Sequence, residues 1–593
     1  RAPAALTWRV AVPDQGRLDC GLGALAGERV TYRVAVRPRG GERRVLLEET
    51  VADPAVWRQR SVGLAEWAGS TVELTLEAAG EPAGAVALWG APVVSGAGAA
   101  ARPDVVFYVI DGGGADLMSL YGYNRSTTPF LERLAAEGAV FERAYSNSTW
   151  TQPSTASFMT SLHHSVLGGL RRGVHSTPVP AAATTMAEHM RRGGYLTGVF
   201  TSNPNAGRVI GLERGVDLLR DTETEHHSTS SGELHERFWA FRAAYPGGPY
   251  WAHFQTTDVH EPNEPPPPFA GLYAGTEERQ RLHESEGRLW QAAGQAFGTT
   301  SIAGWYDLAL ERSGVDRQAY FGARRDLYDE TMAFQDQQLA GFVERLKRTG
   351  RWKDTILVVA ADHGHPAGTF ARFGRGLFEP QPAPWEGALF DSYSTRVPLL
   401  VVWPGHVAGG RRFTRPVSMI DVLPTLLELA GLPPPEVLQG RSLAPLLLGR
   451  ESEEEGEGVP VVLDEFRVDE RGEMIGNLEM IDGRWGASLE IGPLPGGLAA
   501  PKGRHAVPVG GRWGALHPFF PEAPRLLLYD LWNDPFARRA VNGRHPALVE
   551  RYRRALLRQW RAHLALAGRF REAGEIPLTP EQLQQLRSLG YIQ

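Results

Sequence analysis

Asp104-Val105-Val106-Phe107-Tyr108-Val109-Ile110-Asp111 is an unbroken apolar run closed by an acid, and far downstream Thr355-Ile356-Leu357-Val358-Val359-Ala360-Ala361-Asp362-His363-Gly364 repeats the form. Runs that lack the alternation of a half-exposed strand predict strands covered on both faces. In an open parallel sheet, ligands sit beyond the carboxyl ends of the strands, so Asp111, Asp362 and His363 can converge despite their separation in sequence. An acid after an apolar strand is also the ordinary solvated strand end or helix cap. Two such ends point further, because Ser148-Thr149-Trp150-Thr151-Gln152-Pro153-Ser154-Thr155 lies between them and places a hydroxyl where a helix opens.

Outward from these runs, Leu196 to Thr201, Tyr250 to Thr256 and Val397 to Val402 read as further strands. Thr128 reads as the cap of a helix whose face is Phe130, Leu131, Leu134 and Ala135, closed at Gly138. Strands alternating with helices predict an α/β doubly wound sheet. Leu6 to Val94 alternates instead, as in Val30-Thr31-Tyr32-Arg33-Val34-Ala35-Val36, with Gly-rich turns, and predicts a β-sandwich. Ser95 to Pro103 reads as a linker. The expected division is an accessory β-sandwich over residues 1–97, a catalytic domain over 103–450 and an α+β C-terminal subdomain over 451–593. The last holds a strand Leu526 to Asp530, a helix from Pro546 to Leu566 and a short helix that Thr579 can cap. The Pro cluster from Asn263 to Phe269 and the acidic run from Glu451 to Gly458 read as loops.

At 593 residues the chain is too long for one ordinary core, and about two to four domains follow. Hydrophobic residues make up 42% and charged ones 22%, a globular balance. A net charge of −6 gives no basic face for nucleic acid. No apolar run approaches the ~20 residues of a membrane-spanning helix. The single cysteine, Cys20, excludes an intrachain disulfide framework. The chain begins at Arg1, not Met, which raises the expectation of a trimmed leader and a periplasmic or secreted setting. The oligomeric state has no signature in the sequence.

Over residues 103 to 445, and again near the C-terminus, the sequence resembles the sulfatase family of the alkaline phosphatase superfamily. The resemblance is carried by Asp111, by Tyr121-Gly122-Tyr123 with Thr127-Thr128-Pro129, and by Thr151-Gln152-Pro153-Ser154 at the place of the family's Cys/Ser-x-Pro-Ser motif. It continues in Asp258-Val259-His260-Glu261-Pro262, Asp362-His363-Gly364, Arg396-Val397-Pro398-Leu399, Asp421-Val422-Leu423-Pro424-Thr425, Leu528-Tyr529-Asp530-Leu531 and Leu586-Arg587-Ser588-Leu589-Gly590-Tyr591. What the resemblance implies is an alkaline-phosphatase/sulfatase-like α/β sheet with a divalent metal at the strand ends, held by Asp111, Thr151, Asp362 and His363. Thr151 is then also the nucleophile. Mixed oxygen and nitrogen ligands suit Zn²⁺ or Mn²⁺ better than Ca²⁺. One ion is expected, with a second as the alternative.

The departures matter equally. Formylglycine is made from Cys or Ser, and Thr151 is neither; the Arg of that motif is Thr155, and the second acid of the family's Asp-Asp pair is Gly112. Ser202-Asn203 stands where a Lys-Trp-His stretch often sits, so the sulfate-binding lysine is missing. A threonine nucleophile is the pattern of phosphodiesterase and transferase relatives, in which a metal lowers the hydroxyl's pKa and orients in-line attack. The resulting expectation is a metal-dependent hydrolase of phosphate mono- or diesters acting on an anionic ester substrate. The alternatives are a sulfate-ester hydrolase without formylglycine, a phosphoryl-group transferase, or a non-catalytic relative that binds an anionic glycan.

Each candidate also has a plainer reading. Thr151 can be a helix cap. His260 can protonate a leaving group, or His260 and Asp258 can stabilise a loop or hold a second metal; Asn203, Asp258 and His365 are the candidates for substrate contact. His163 and His164 read as structural or surface residues, Arg171-Arg172 as a solvated loop. Trp57, Trp67 and Trp89 read as sandwich core ahead of a glycan platform.

Overall fold

The computed structural model describes residues 2–52, 58–97, 102–168, 175–176, 178–220, 229–260, 263–294, 312–364, 395–452, 459–468, 474–491, 526–534, 537, 539–570 and 576–577. At its centre is an eight-stranded sheet in the order Leu218–Arg220, Leu196–Thr201, Tyr250–Thr256, Asp104–Ile110, Thr355–Ala360, Leu399–Val402, Gly138–Phe141 and Arg411–Phe413. Asp104–Ile110 pairs in parallel with Tyr250–Thr256 on one side and Thr355–Ala360 on the other. Leu399–Val402 is antiparallel to both its neighbours. The structure thus confirms the α/β class.

Alternate residues of one strand serve two cores, which is why the strand carries no polar face. Val105, Phe107 and Val109 pack with Phe158 and Met159 of helix Thr151–Thr160, Met186 and Met190 of helix Met186–Arg192, and Leu423 and Leu426 of helix Val422–Leu429. Val106, Tyr108 and Ile110 turn the other way, to Leu131 and Leu134 of helix Pro129–Ala135, Phe238 and Phe241 of helix Ser231–Ala244, and Met332 and Phe342 of helix Arg317–Arg348. Full burial of each large apolar side chain stabilises by about 1.5–3 kcal/mol.

Two local expectations change. Thr128 precedes helix Pro129–Ala135, but its hydroxyl accepts from Leu120 N at 3.0 Å instead of capping the helix. The cap comes from Asp336, whose carboxylate accepts from Phe130 N at 2.7 Å and Leu131 N at 3.0 Å. Gly138 opens a strand and does not close that helix. Ser95-Gly96-Ala97 continue strand Ala87–Ala97, so the linker begins later than the composition suggested.

The N-terminal region is a sandwich of a four-stranded sheet (Ala4–Ala11, Thr71–Glu81, Arg29–Pro38, Arg44–Val51) and a three-stranded sheet (Arg58–Gly63, Asp14–Ala24, Ala87–Ala97). Val30, Tyr32, Val34 and Val36 alternate into its core. Trp89 meets Tyr32 edge-on at 4.8 Å, and Trp67 packs against the core, in agreement with a packing role; Trp57 lies outside the described residues. Cys20 is buried, and burial pushes its thiol up to about 11, which leaves it unreactive at neutral pH.

At the C-terminal end, strands Val461–Val468, Met474–Asp482, Trp485–Ile491 and Leu526–Asp530 form an antiparallel sheet in that order. Helix Pro546–Ala567 lays Tyr552, Leu556 and Trp560 on it, Trp560 stacking on Phe466 at 4.6 Å. The short helix expected from Thr579 lies outside the described residues. No helix among the described residues is long and apolar enough to cross a membrane.

Residues 263–269 form a loop, as the proline content suggested. Its continuation is tied down by Glu330, buried on helix Arg317–Arg348, whose Oε1 accepts from Gly271 N at 3.1 Å, Tyr273 N at 2.8 Å and Ala274 N at 2.9 Å. Arg279 is ion-paired to the same carboxylate. Glu330→Ala leaves three amides and a guanidinium without their acceptor, an expected loss of about 3–5 kcal/mol. Hydrogen exchange followed by mass spectrometry checks it: residues 271–279 are expected to exchange faster than the central sheet, and unchanged protection there contradicts the assignment.

Candidate active site

Three strand ends and one helix start build the site. Asp111 follows strand Asp104–Ile110 and extends its pairing by one bond, Asp111 N donating to Thr256 O at 2.9 Å. Gly112 then turns with φ +69°, a left-handed conformation that glycine adopts without strain. Its amide donates to Asp362 Oδ1 at 3.2 Å. Asp362, just past strand Thr355–Ala360, also receives His363 N at 2.9 Å.

Thr151 is the first residue of helix Thr151–Thr160, and the capping position before it is the extended Trp150. The cap reading of Thr151 is therefore not what the structure shows. Its hydroxyl lies 3.4 and 3.5 Å from the two oxygens of Asp111, 3.2 Å from His363 Nε2 and 3.2 Å from the Asn203 amide. Asn203 Nδ2 also donates to Asp111 Oδ2 at 2.5 Å, while its Oδ1 accepts from Asn205 N at 2.9 Å and so fixes the amide's orientation. Asp111, Thr151, Asn203 and Asp362 are wholly buried, and His363 nearly so.

His363 Nδ1 sits 2.5 Å from Gly364 O, a carbonyl that only accepts, so the proton belongs on Nδ1 and the Nε2 lone pair faces the cluster. His260 approaches Asp111 Oδ1 at 3.9 Å. Burial holds its imidazole below its ordinary value, Asp111 working against this and His363 with it. For Asp362, burial and then the charge of Asp111 push the carboxyl up to about 7.

One ligand atom from each of Asp111, His260 and His363 lies within 4.8 Å of the others, and Asp362 Oδ2 flanks them, 3.7 Å from His363 Nε2. Among the described residues, no arginine or lysine pairs with either carboxylate. Two buried carboxylates and an imidazole nitrogen turned toward them form a donor set that fits a divalent cation.

The sequence candidates Asp111, Thr151, Asn203, His260, Asp362 and His363 come together here. Asp258 faces elsewhere: its carboxylate receives Ser231 N at 3.1 Å, at the start of helix Ser231–Ala244. His365 and Arg171-Arg172 lie outside the described residues. His163 and His164 are buried beyond the far end of the Thr151 helix, His163 beside Asp464. One residue escaped the sequence reading. Gln255 is wholly buried and donates through Nε2 to Asp111 Oδ2 at 2.8 Å and Asp362 Oδ2 at 2.9 Å. Its signal was an amide near the end of an otherwise well-covered strand, Tyr250–Thr256.

A hydroxyl opening a helix, two strand-end acids and an imidazole, all on the carboxyl side of a mainly parallel sheet, define an alkaline-phosphatase-like hydrolase. Among solved structures, the phosphonate monoester hydrolase from Silicibacter pomeroyi shares this fold with a TM-score of 0.56 at 20% identity, over 78% of this chain and 96% of that one. That of Agrobacterium radiobacter gives 0.54 at 18% identity, over 78% and 96%. The chain belongs to the sulfatase family, whose profile, described as Sulfatase, matches residues 103–432. Relatives by sequence include human arylsulfatase A, 26% identical over 409 residues (60% of this chain, 70% of that protein), and the arylsulfatase of Clostridium perfringens, 22% identical over 407 residues (59% and 79%). The choline-sulfatase of Rhizobium meliloti is 26% identical over 383 residues (55% and 68%).

Proposed function

We propose that this sulfatase-family hydrolase cleaves phosphate mono- or diesters, with Thr151 as the nucleophile. The observation that carries the reading is the Thr151 hydroxyl, buried in the cluster 3.2 Å from His363 Nε2, with Asp111 at 3.4 Å as the acceptor for its proton. Thr151 Oγ forms a bond to phosphorus as the ester P–O bond breaks, its proton passing to Asp111, and the departing oxygen takes a proton from His260 in its protonated form. Water then adds to phosphorus as the P–Oγ bond of the phosphothreonine breaks, its proton going to His260 while Asp111 returns its proton to Oγ, which restores the hydroxyl. The first-turn amides of helix Thr151–Thr160 favour the anionic group.

Asp111, Asp362 and His363, with the Thr151 oxygen completing the shell, are the residues that would hold the cation, for which we propose Zn²⁺ or Mn²⁺. When bound, such an ion lowers the pKa of a nearby hydroxyl and polarises a phosphoryl oxygen. We also propose the boundaries 1–97, 103–450 and 451–593 for the sandwich, catalytic and C-terminal units.

Sulfate esters remain the competing substrate, because the curated relatives carry sulfatase names. The test is kcat/KM of the Mn²⁺- and Zn²⁺-loaded protein on p-nitrophenyl phosphate, bis-p-nitrophenyl phosphate and p-nitrophenyl sulfate. A phosphoester is expected to lead by at least about 10²-fold, roughly 2.7 kcal/mol of transition-state stabilisation. A lead for the sulfate ester overturns the proposal.

A further inference from the structure

Gln255 stands on strand Tyr250–Thr256, the neighbour of Asp104–Ile110, while Asp362 comes from the strand on the other side of Asp104–Ile110. Its amide nitrogen therefore reaches across one whole strand to bind both carboxylates, at 2.8 and 2.9 Å. The reverse amide orientation would aim a carbonyl oxygen at two carboxylates, so chemistry fixes Nε2 on this side. Oε1 is then buried and has no hydrogen-bond partner among the described residues. A buried acceptor left unpaired is unfavourable, and the fold retains it where the other end of the group has a function.

Resting on the cation-site reading above, we propose that Gln255 is the positioning residue of that site. It holds Oδ2 of Asp111 and Oδ2 of Asp362 in one place, so that the remaining acceptor sites of both carboxylates face a cation already ordered. Being neutral, it does so without adding a third negative charge to a buried pair. A leucine at 255 keeps the approximate volume and removes the amide that binds the Oδ2 atoms of both carboxylates, so that Asn203 still holds Asp111 and the Gly112 and His363 amides still hold Asp362 but the repulsion between the two Oδ2 atoms loses its bridge. A glutamate keeps the reach but brings a further acceptor and charge.

The test is Mn²⁺ affinity, read by electron paramagnetic resonance titration of the metal-free protein with no substrate present, for wild type, Gln255→Leu and Gln255→Glu. Gln255→Leu is expected to weaken Mn²⁺ binding by about 10–100-fold, the usual effect of losing an outer partner of a metal ligand. Its kcat is expected to recover toward wild type at saturating Mn²⁺ with KM for the ester unchanged, a split that general structural damage does not produce. Gln255→Glu is expected to bind Mn²⁺ at least as tightly as wild type, and to gain more in unfolding temperature on adding it. Should wild type bind Mn²⁺ and Gln255→Leu bind it equally well, the role of Gln255 is overturned and the site reading stands. If wild type binds neither Mn²⁺ nor Zn²⁺, the site reading itself has failed. A Gln255→Leu protein that does not fold leaves Gln255→Asn to decide, an amide one methylene too short to reach both carboxylates, with Mn²⁺ affinity equal to wild type overturning the proposal.

Discussion

Thr151→Ala is expected to lower kcat/KM by about 10³- to 10⁵-fold on phosphoesters while leaving the unfolding temperature nearly unchanged. The split follows from what the side chain touches. Its hydroxyl faces Asp111 and His363 and receives the Asn203 amide. Asn203 keeps Asp111 as an acceptor after the change, and the helix has Trp150 at its capping position, so neither is left without its fold-level partner. Loss of the small buried side chain then costs about 1 kcal/mol. Thr151→Val is the sharper control because it keeps the branched shape and removes only the oxygen. Thr151→Ser keeps the oxygen and is expected to retain turnover within about 10²-fold of wild type. Trapping a phosphoryl adduct on Thr151 by mass spectrometry after acid quench tests the same point. A Thr151→Val protein that turns over at the wild-type rate would falsify the nucleophile assignment.

The strands that frame this site were readable because residues such as Val105 to Ile110 serve cores on both faces, which forces an apolar run with its acid at the end. The convergence of Asp111, Asp362 and His363 followed from the geometry of parallel sheets, and Thr151 from the helix start between them. Long-range choices between equivalent hydrogen-bond donors and acceptors were not readable. Thr128 had the local signature of a cap, yet Asp336, 206 positions from the Phe130 amide it binds, took the role because a carboxylate binds backbone amides more strongly than a hydroxyl does. Gln255 has no spacing that marks it, since a neutral amide in a strand becomes informative only when the neighbouring strands are known. Asp464 was invisible for the same reason.

Asp464→Ala is expected to cost about 3–5 kcal/mol, as large a loss as that expected for Glu330→Ala. Asp464 lies wholly buried on strand Val461–Val468, and receives His164 N at 3.2 Å and Ser165 N at 2.7 Å from the turn that follows the Thr151 helix. His163 Nδ1 is 3.3 Å away, and the His163 ring stacks at 4.6 Å on His563 of helix Pro546–Ala567. One carboxylate thus joins the catalytic sheet's flank to the C-terminal sheet and its helix. Burial alone would raise its pKa, but the histidines, His163 first, outweigh it and hold it well below the usual carboxylate range. Asp530, with Arg484 as the main cause, is lowered to about 2. Both acids therefore stabilise the fold above their unfolded pKa of about 3.9, and that contribution is lost as pH falls below it. His235, His253 and His563 are held neutral by burial at about 3, so their contribution, complete above an unfolded value of about 6.5, declines as pH falls from there toward 3. Asp329 and Asp336, raised to about 6 by burial, work in the opposite sense between about 6 and 3.9, because the folded state takes up their protons first. Asp258 at about 6 and Asp362 at about 7 act in the same sense, so the buried acids offset the histidines between pH 6 and 4, and stability should stay roughly level there and fall steeply below 4, where the opposing acids no longer contribute and Asp464 and Asp530 join the loss. Urea unfolding at a series of pH values, read on the transition that reports the C-terminal unit, checks this. Asp464→Asn keeps one acceptor and removes the charge, so it is expected to be destabilised at pH 7 and to show a shallower limb below pH 4. A wild-type limb in Asp464→Asn, or an Asp464→Ala within about 1 kcal/mol of wild type, contradicts the junction role.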